Sequence, residues 1–317
     1  MRIVTVEEHF SLPGAGLGAG LGSNYIDLIR LRGGGMQKLG RSMALDADRV
    51  AAMDDGGVDT QVLSCPEMRS AQVRETNDYL YDATRTHPGR FAGFASLPWS
   101  EPDAAAVELK RCVEKLGFVG AFVTNRVDDE FLDAERFDPV LRAATDLGVP
   151  INIHPGLPPE PIQQLSYRGL SPAVSAAFSS AGYGWHVDTG VHALHLILSG
   201  VFDRYPELQV ILGHWGELIP FYLPRLDDRM PPPVTGLKRR ISDYFVENFY
   251  LSPSGIFDHR NLQFCIQMVG AERILYAVDY PVHGLENVRP FLENAPISPA
   301  DKEKIGHQNA EKLLGLS

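Results

Sequence analysis

FDPVLRAATDLGVPINIHP, residues 137–155, contains one complete step from helix to strand. Its first part, 137–148, carries helical periodicity and stops at Gly148, the residue type expected just past a helix end. Its second part, PINIHP at 150–155, is a short apolar run that closes on His154. The step recurs along the chain, so a repeated unit of strand and helix sets the architecture.

Working outward, eight short apolar, β-branched runs follow one another: IVTVEEH (3–9), DTQVLSC (59–65), FAGFASL (91–97), VGAFVTN (119–125), PINIHP (150–155), LQVILGH (208–214), NFYLSP (248–253) and ILYAVDYP (274–281). Helical stretches separate several of them, as at 46–57, 103–117 and 137–148. Eight strands alternating with helices predict an α/β fold of the (β/α)8 barrel type, with a doubly wound open sheet as the competing architecture. No shift of composition divides the chain, which reads as one domain over 1–317. Three stretches read as loops: the Gly-rich 12–23, then 155–174, then the proline run 230–236. The Gly-rich loop follows strand 1 directly, which in a barrel places residues 14–23 over the mouth.

A chain of 317 residues with 44% hydrophobic content can bury a substantial core. Its net charge of −11 would be repelled by nucleic acid or an anionic membrane, which excludes both as natural partners. Cys65, Cys112 and Cys265 lack metal-knuckle spacing and form no disulfide framework, so a reducing cytoplasm is expected. The glycines near the N-terminus lack the Lys-Ser/Thr of a phosphate-binding loop.

The chemistry gathers at the ends of the strands. Glu7 and His9 close strand 1, His154 closes strand 5, His214 closes strand 6 and Asp279 closes strand 8. In a barrel, those carboxyl ends form the catalytic face, so the five converge on one axis. Alternation also sends Glu7 and His9 to one side of strand 1 and Glu8 to the other. Imidazoles with carboxylates make a mixed N/O donor set that suits Zn²⁺ or Mn²⁺ and is too oxygen-poor for Ca²⁺. A catalytic ion with positions open to substrate is expected.

These motifs resemble the amidohydrolase superfamily, and within it the metal-dependent nonoxidative decarboxylases related to aminocarboxymuconate-semialdehyde decarboxylase. The resemblance rests on EEHF after strand 1, RVAAMDDGGVDTQVLS, the NIHP step, GVFDRYPELQVILGHWGELIPFYLPRLD and ILYAVDYP. Glu-x-His in strand 1, with GHWGE and the following Pro and Arg, looks most like gamma-resorcylate and 2,3-dihydroxybenzoate decarboxylases. The resemblance implies Glu7, His9, His154 and Asp279 as metal ligands and His214 as the catalytic histidine. It further implies that Glu217 orients His214, that Arg225 belongs to the substrate site, and that the protein is a homodimer or homotetramer. Strand 4 ends in VTNR, without the lysine that bridges two metals in binuclear relatives, which fits a single ion.

The function that follows is decarboxylation of a hydroxyaromatic or related unsaturated acid, with a proton delivered to the ring carbon by Asp279 or His214. A metal-dependent hydrolase of a lactone or amide is the alternative on the same scaffold, and a binding module that catalyses nothing is a third reading. Among the other histidines, His186 is expected as pocket lining or loop, and His283 follows strand 8 closely enough to touch a bound ring. His192 and His195, three apart on a helix rich in Leu and Ile, read as a packing face rather than a ligand pair.

Overall fold

The computed structural model describes residues 1–13, 43–66 and 72–317. The chain runs β1 (Val4–His9), α1 (Ala47–Gly56), β2 (Thr60–Ser64), α2 (Val73–Thr86), β3 (Phe91–Ser96), α3 (Pro102–Leu116), β4 (Gly120–Thr124), α4 (Asp138–Leu147) and β5 (Ile151–His154). It continues through α5 (Glu160–Ser166), α6 (Pro172–Ser179), α7 (Gly184–Leu198), α8 (Val201–Arg204), β6 (Val210–Leu212), α9 (Ile219–Arg229), α10 (Pro232–Thr235), α11 (Ile241–Asn248) and β7 (Phe249–Leu251). Then come α12 (His259–Val269), α13 (Val288–Glu293), α14 (Pro299–Glu303) and α15 (Asn309–Leu314).

The opening stretch folds as read. α4 buries Val140, Leu141 and Ala144, and Gly148 terminates it in the left-handed region at φ 65°. Burying Val140 and Leu141 stabilises the packing by roughly 1.5–3 kcal/mol each. Two expected loops differ from the sequence reading. Segment 155–174 contains α5 and the start of α6, and 230–236 contains α10. In all three helices a proline sits in the first turn, where its missing N–H leaves no hydrogen bond unmade. Of the Gly-rich loop, residues 14–23 lie outside the described residues.

All seven strands pair in sequence order and in parallel. The eighth run closes the ring by isolated bridges, Leu251 to Ile274 on one side, Thr5 to Tyr276 and Glu8 to Tyr280 on the other. The result is a (β/α)8 barrel whose last stave is irregular. Val4, Val6, Val62, Phe94, Phe122, Ile211, Tyr250 and Leu275 fill the interior, and Ala310 and Leu314 of α15 join them from below. A second apolar layer, including Leu63, Leu109, Leu141, Ile153 and Leu212, lies between sheet and helices.

One irregularity decides where the chemistry goes. β1 pairs Thr5 with Gln61 but Glu8 with Leu63, so three steps on β1 match two on β2. That extra residue is a β-bulge, and it reverses the alternation of the strand. Below it Val4 and Val6 point into the barrel. Above it His9 does, opposite Ser64, while Glu8 follows Leu63 outward. Simple alternation from Val4 would have sent His9 out. Asn152 Nδ2 crosses the barrel to the Val6 carbonyl at 3.4 Å.

Candidate active site

Directly above the apolar filling lies a polar layer at the carboxyl ends of the strands. His9 and His154 approach edge to face, with ring centroids 4.7 Å apart. His9 Nε2 lies 3.1 Å from Asp279 Oδ1 and 3.2 Å from His154 Nε2. Glu7 Oε1 lies 3.8 Å from His154 Nε2 and is buried without a hydrogen-bond partner. Among the described residues, His9, His154 and Asp279 gather their donor atoms within 4.8 Å, in a geometry able to hold a metal.

Tautomers follow from the partners. Ser64 Oγ donates to the Glu8 carbonyl and lies 3.0 Å from His9 Nδ1, from which it accepts. His154 Nδ1 donates to the Pro155 carbonyl at 2.7 Å. Each ring therefore spends its proton outward and turns the bare Nε2 lone pair inward. Burial, with the neighbouring His9 ring, drives His154 down to about 3, so its imidazole is the neutral, ligating form. Two lone pairs and a carboxylate face one another at hydrogen-bond distance, an arrangement that repels unless a cation sits among them. The donor set therefore fits a divalent ion.

Glu7 is held from behind. Its Oε2 accepts from Ser254, and Ser252 Oγ lies 3.4 Å away. A Cβ on Gly213 would come within 2.3 Å of Oε2, so glycine there lets β6 end against the carboxylate.

His214 stands on an unusual turn. His214, Trp215, Gly216, Glu217 and Leu218 all have positive φ, between 48° and 77°. Left-handed backbone costs roughly 1–2 kcal/mol per non-glycine residue, a strain met mainly at functional sites. Trp215 N–H donates to Ser252 O and its ring N–H to Ile256 O, each at 2.8 Å, which anchors the turn. Within it His214 Nδ1 lies 2.9 Å from Glu217 Oε1 and donates there. Glu217 Oε2 accepts from His186 Nδ1 at 2.7 Å, and Trp185 Nε1 donates to His186 Nε2. Burial would lower His214, yet the carboxylates of Glu217, Glu7 and Asp279 outweigh it and raise the ring to about 9. Burial would lift Glu217, but the two rings hold its carboxyl below the usual range.

The structure thus brings Glu7, His9, His154, His214, Glu217, Asp279 and His186 together, His186 from the first turn of α7 rather than a loop. His283 lies beside them: its N–H donates to the Asp279 carbonyl, and its ring covers Gly255 so closely that a Cβ there would be 2.3 Å away. Arg225 is not brought in within one chain. It stands on α9 with its side chain 62% exposed, 3.8 Å from Asp228. His192 is a packing residue, buried and stacked on Phe131 at 4.9 Å, whereas His195 pairs with Asp133 at the surface. Asn125, at the position after β4, donates to Asp188 and accepts from His192, so it is engaged away from the centre. Nothing in the sequence singles out Ser64, Ser252 and Ser254, although Ser64 and Ser252 stand near the ends of runs 2 and 7 and Ser254 just beyond run 7.

A cavity of about 260 Å³ shares Phe122 with the surroundings of the donor cluster. Cys65, Leu97, Trp99, Phe122, Thr124 and Arg126 are among its lining. The Phe122 ring faces His154 at 5.6 Å and His9 at 6.1 Å. Phe122 therefore joins the cavity to the polar cluster, and Ser100, Thr124, Arg126 and Asp128 give that cavity a polar side as well.

A family model described as amidohydrolase matches residues 32–316. The chain is 38% identical to the gamma-resorcylate decarboxylase of Polaromonas sp. (strain JS666) over 299 aligned positions, 87% of this chain and 90% of that one. It is 35% identical to the gamma-resorcylate decarboxylase of Rhodococcus jostii (strain RHA1), over 99% of this chain and 98% of the relative. A solved structure of a dihydroxybenzoic acid decarboxylase from Polaromonas sp. JS666, with bound manganese and the inhibitor 2-nitroresorcinol, matches with a TM-score of 0.86 at 34% identity, covering 99% and 97% of the two chains.

Proposed function

The chain belongs to the amidohydrolase family, in its decarboxylase branch, and from that premise we propose how its residues release CO2 from a hydroxyaromatic or related unsaturated acid. It is a metal-dependent carboxy-lyase. Glu7, His9, His154 and Asp279 are the residues that would hold the ion, Mn²⁺ or Zn²⁺. The observation that carries this assignment is the meeting of the two bare Nε2 lone pairs of His9 and His154 with the Asp279 carboxylate. A divalent ion bound there would supply electrophilic pull on the substrate.

The remaining work falls to the chain. Phe122 and the cavity beside it receive the ring, which the relatives' dihydroxybenzoates suggest carries hydroxyls. Glu217 accepts the Nδ1 proton of His214 and so fixes the ring that leaves Nε2 for an ortho oxygen of the substrate. The ring carbon that bears the carboxylate takes its proton from His214, whose ring is raised to about 9 and so carries one at neutral pH, or from Asp279 once it has accepted a proton. Burial would lift the Asp279 carboxyl, but the neighbouring histidines hold it below the usual range. The bond to the carboxylate then breaks, CO2 leaves, and the bonding pair restores aromaticity. His186 holds the second oxygen of Glu217.

For assembly we propose a homodimer or homotetramer. Phe221 and Tyr222 on α9 and Phe264 on α12 are exposed, and Phe221 and Phe264 lie 6.3 Å apart, an apolar patch larger than isolated surface residues make. Light scattering that shows only monomer would contradict it. Among the described residues no helix is long and apolar enough to cross a membrane.

Product analysis tests the activity. The Mn²⁺-loaded protein incubated with dihydroxybenzoates should release CO2 and the matching phenol. Ring opening of lactones without any CO2 from the acids would replace this reading by hydrolysis.

A further inference from the structure

Glu8 is the carboxylate of the opening Glu-Glu-His that the proposed chemistry leaves unused. It points out of the barrel, is wholly buried, and spends both oxygens on backbone: Oε1 accepts from Val278 N–H at 2.9 Å and Oε2 from Tyr280 N–H at 3.0 Å. These two donors flank Asp279. The N–H of Asp279 itself goes to the Glu7 carbonyl at 2.9 Å, and the Tyr280 carbonyl accepts from His9 N–H at 2.7 Å. Three consecutive amides around Asp279 are therefore fixed by Glu7 and Glu8, at a residue whose φ of 64° free backbone avoids.

Backbone bonds from Val6, His9 and Asp279 cross this seam, but the eighth run meets β1 only through isolated bridges, and the amides of Val278 and Tyr280 go to a side chain instead of to the facing strand. The side-chain carboxyl of Glu8 fills the two places at which that ladder is broken. Arg49 ties the other side. Buried beside Glu8, whose charge it faces, it donates Nη1 to the His9 carbonyl at 2.7 Å and Nε to Gln61 Oε1 at 2.8 Å. Its guanidinium also lies 4.9 Å from the centre of the Tyr280 ring. Glu8 and Arg49 together thus grip the backbone of residues 278–280 and of His9, the two segments that bring His9 Nε2 within 3.1 Å of Asp279 Oδ1.

We propose that Glu8, backed by Arg49, is a positioning residue of the metal centre: it clamps the barrel seam so that Asp279 and His9 present their donor atoms at ligating distance. The inference rests on the assignment of those two residues as ligands. Removing the clamp leaves every ligand in the sequence but loosens one against another, and partners beyond the ligands typically contribute about ten- to hundredfold in metal affinity.

Glu8→Gln keeps the shape but replaces one acceptor oxygen by a donor group that faces an amide N–H. The variant should remain folded by circular dichroism. Its Mn²⁺ dissociation constant, measured by titration well below the melting temperature, should rise about ten- to hundredfold, and the electron paramagnetic resonance spectrum of the bound Mn²⁺ should show an altered zero-field splitting. If Glu8→Gln does not fold, Arg49→Lys carries the same test, since a single ammonium cannot serve both the His9 carbonyl and Gln61. Wild type that loads Mn²⁺ beside a folded variant of unchanged affinity and spectrum would overturn the clamp. Wild type that takes up no Mn²⁺ would overturn the metal centre itself, and this inference with it.

Discussion

His9 Nε2 and His154 Nε2 face each other across 3.2 Å, each with its proton committed elsewhere, to Ser64 and to the Pro155 carbonyl. Such a pair is stable when a cation lies between the lone pairs. His154→Ala should therefore abolish most Mn²⁺ uptake and all turnover while leaving the barrel folded. Metal analysis of the purified variant decides it, and a normal metal content would remove His154 from the ligand set.

His214→Ala should behave differently. The ring bonds to Glu217 rather than joining the His9, His154 and Asp279 cluster, so the variant should retain its ion and fold. Its kcat should drop by two or more orders of magnitude, about the range seen on losing a general acid-base group. Loss of metal in this variant, or near-normal turnover, would show that His214 has another role.

His186→Ala separates positioning from substrate binding. The change strips Glu217 Oε2 of its partner inside a buried site, a cost of about 1–3 kcal/mol. We expect kcat to fall roughly tenfold with KM little moved, by the same reasoning. A large rise in KM with kcat preserved would instead place His186 against the substrate.

Much of this was legible in the sequence, because a repeated strand-and-helix unit fixes both the barrel and which end of each strand holds the chemistry. His154, His214 and Asp279 needed nothing more than that rule. Glu7 and His9 sit as alternation predicts relative to each other, but the bulge that turns them inward leaves no mark in IVTVEEH, where valines and charged residues fit either register. Ser64, Ser252 and Ser254 obey the strand-end rule too, yet serine is common at strand ends and gives no chemical contrast. The helices within 155–174 were hidden by their prolines, which mark a loop and a first helical turn equally well. Arg225 shows the opposite limit: a motif locates it, and on α9 its side chain stands exposed beside Asp228 rather than among the donors.

Acid should weaken the fold through His192. Burial first, then the nearby Arg126 and His195 charges, drives this ring to about 3 in the native protein, against an ordinary 6.5. Its partners suit a neutral ring, with Leu132 N–H donating to Nε2 at 3.0 Å and Nδ1 against Asn125. The unfolded chain takes up the proton first, so this contribution is complete above about pH 6.5 and is lost as pH falls from there towards 3, on the order of 5 kcal/mol in full. Melting temperatures at neutral and mildly acidic pH should differ more in wild type than in His192→Asn. Equal differences would assign the acid sensitivity elsewhere.

Dependence on the ion is the most direct test. Protein stripped by a chelator should release no CO2 from a dihydroxybenzoate, and Mn²⁺ added back should restore the rate linearly up to about one equivalent per chain, then no further. A stripped protein that decarboxylates at the full rate, or a rate that needs two equivalents, would contradict a single ion held by Glu7, His9, His154 and Asp279.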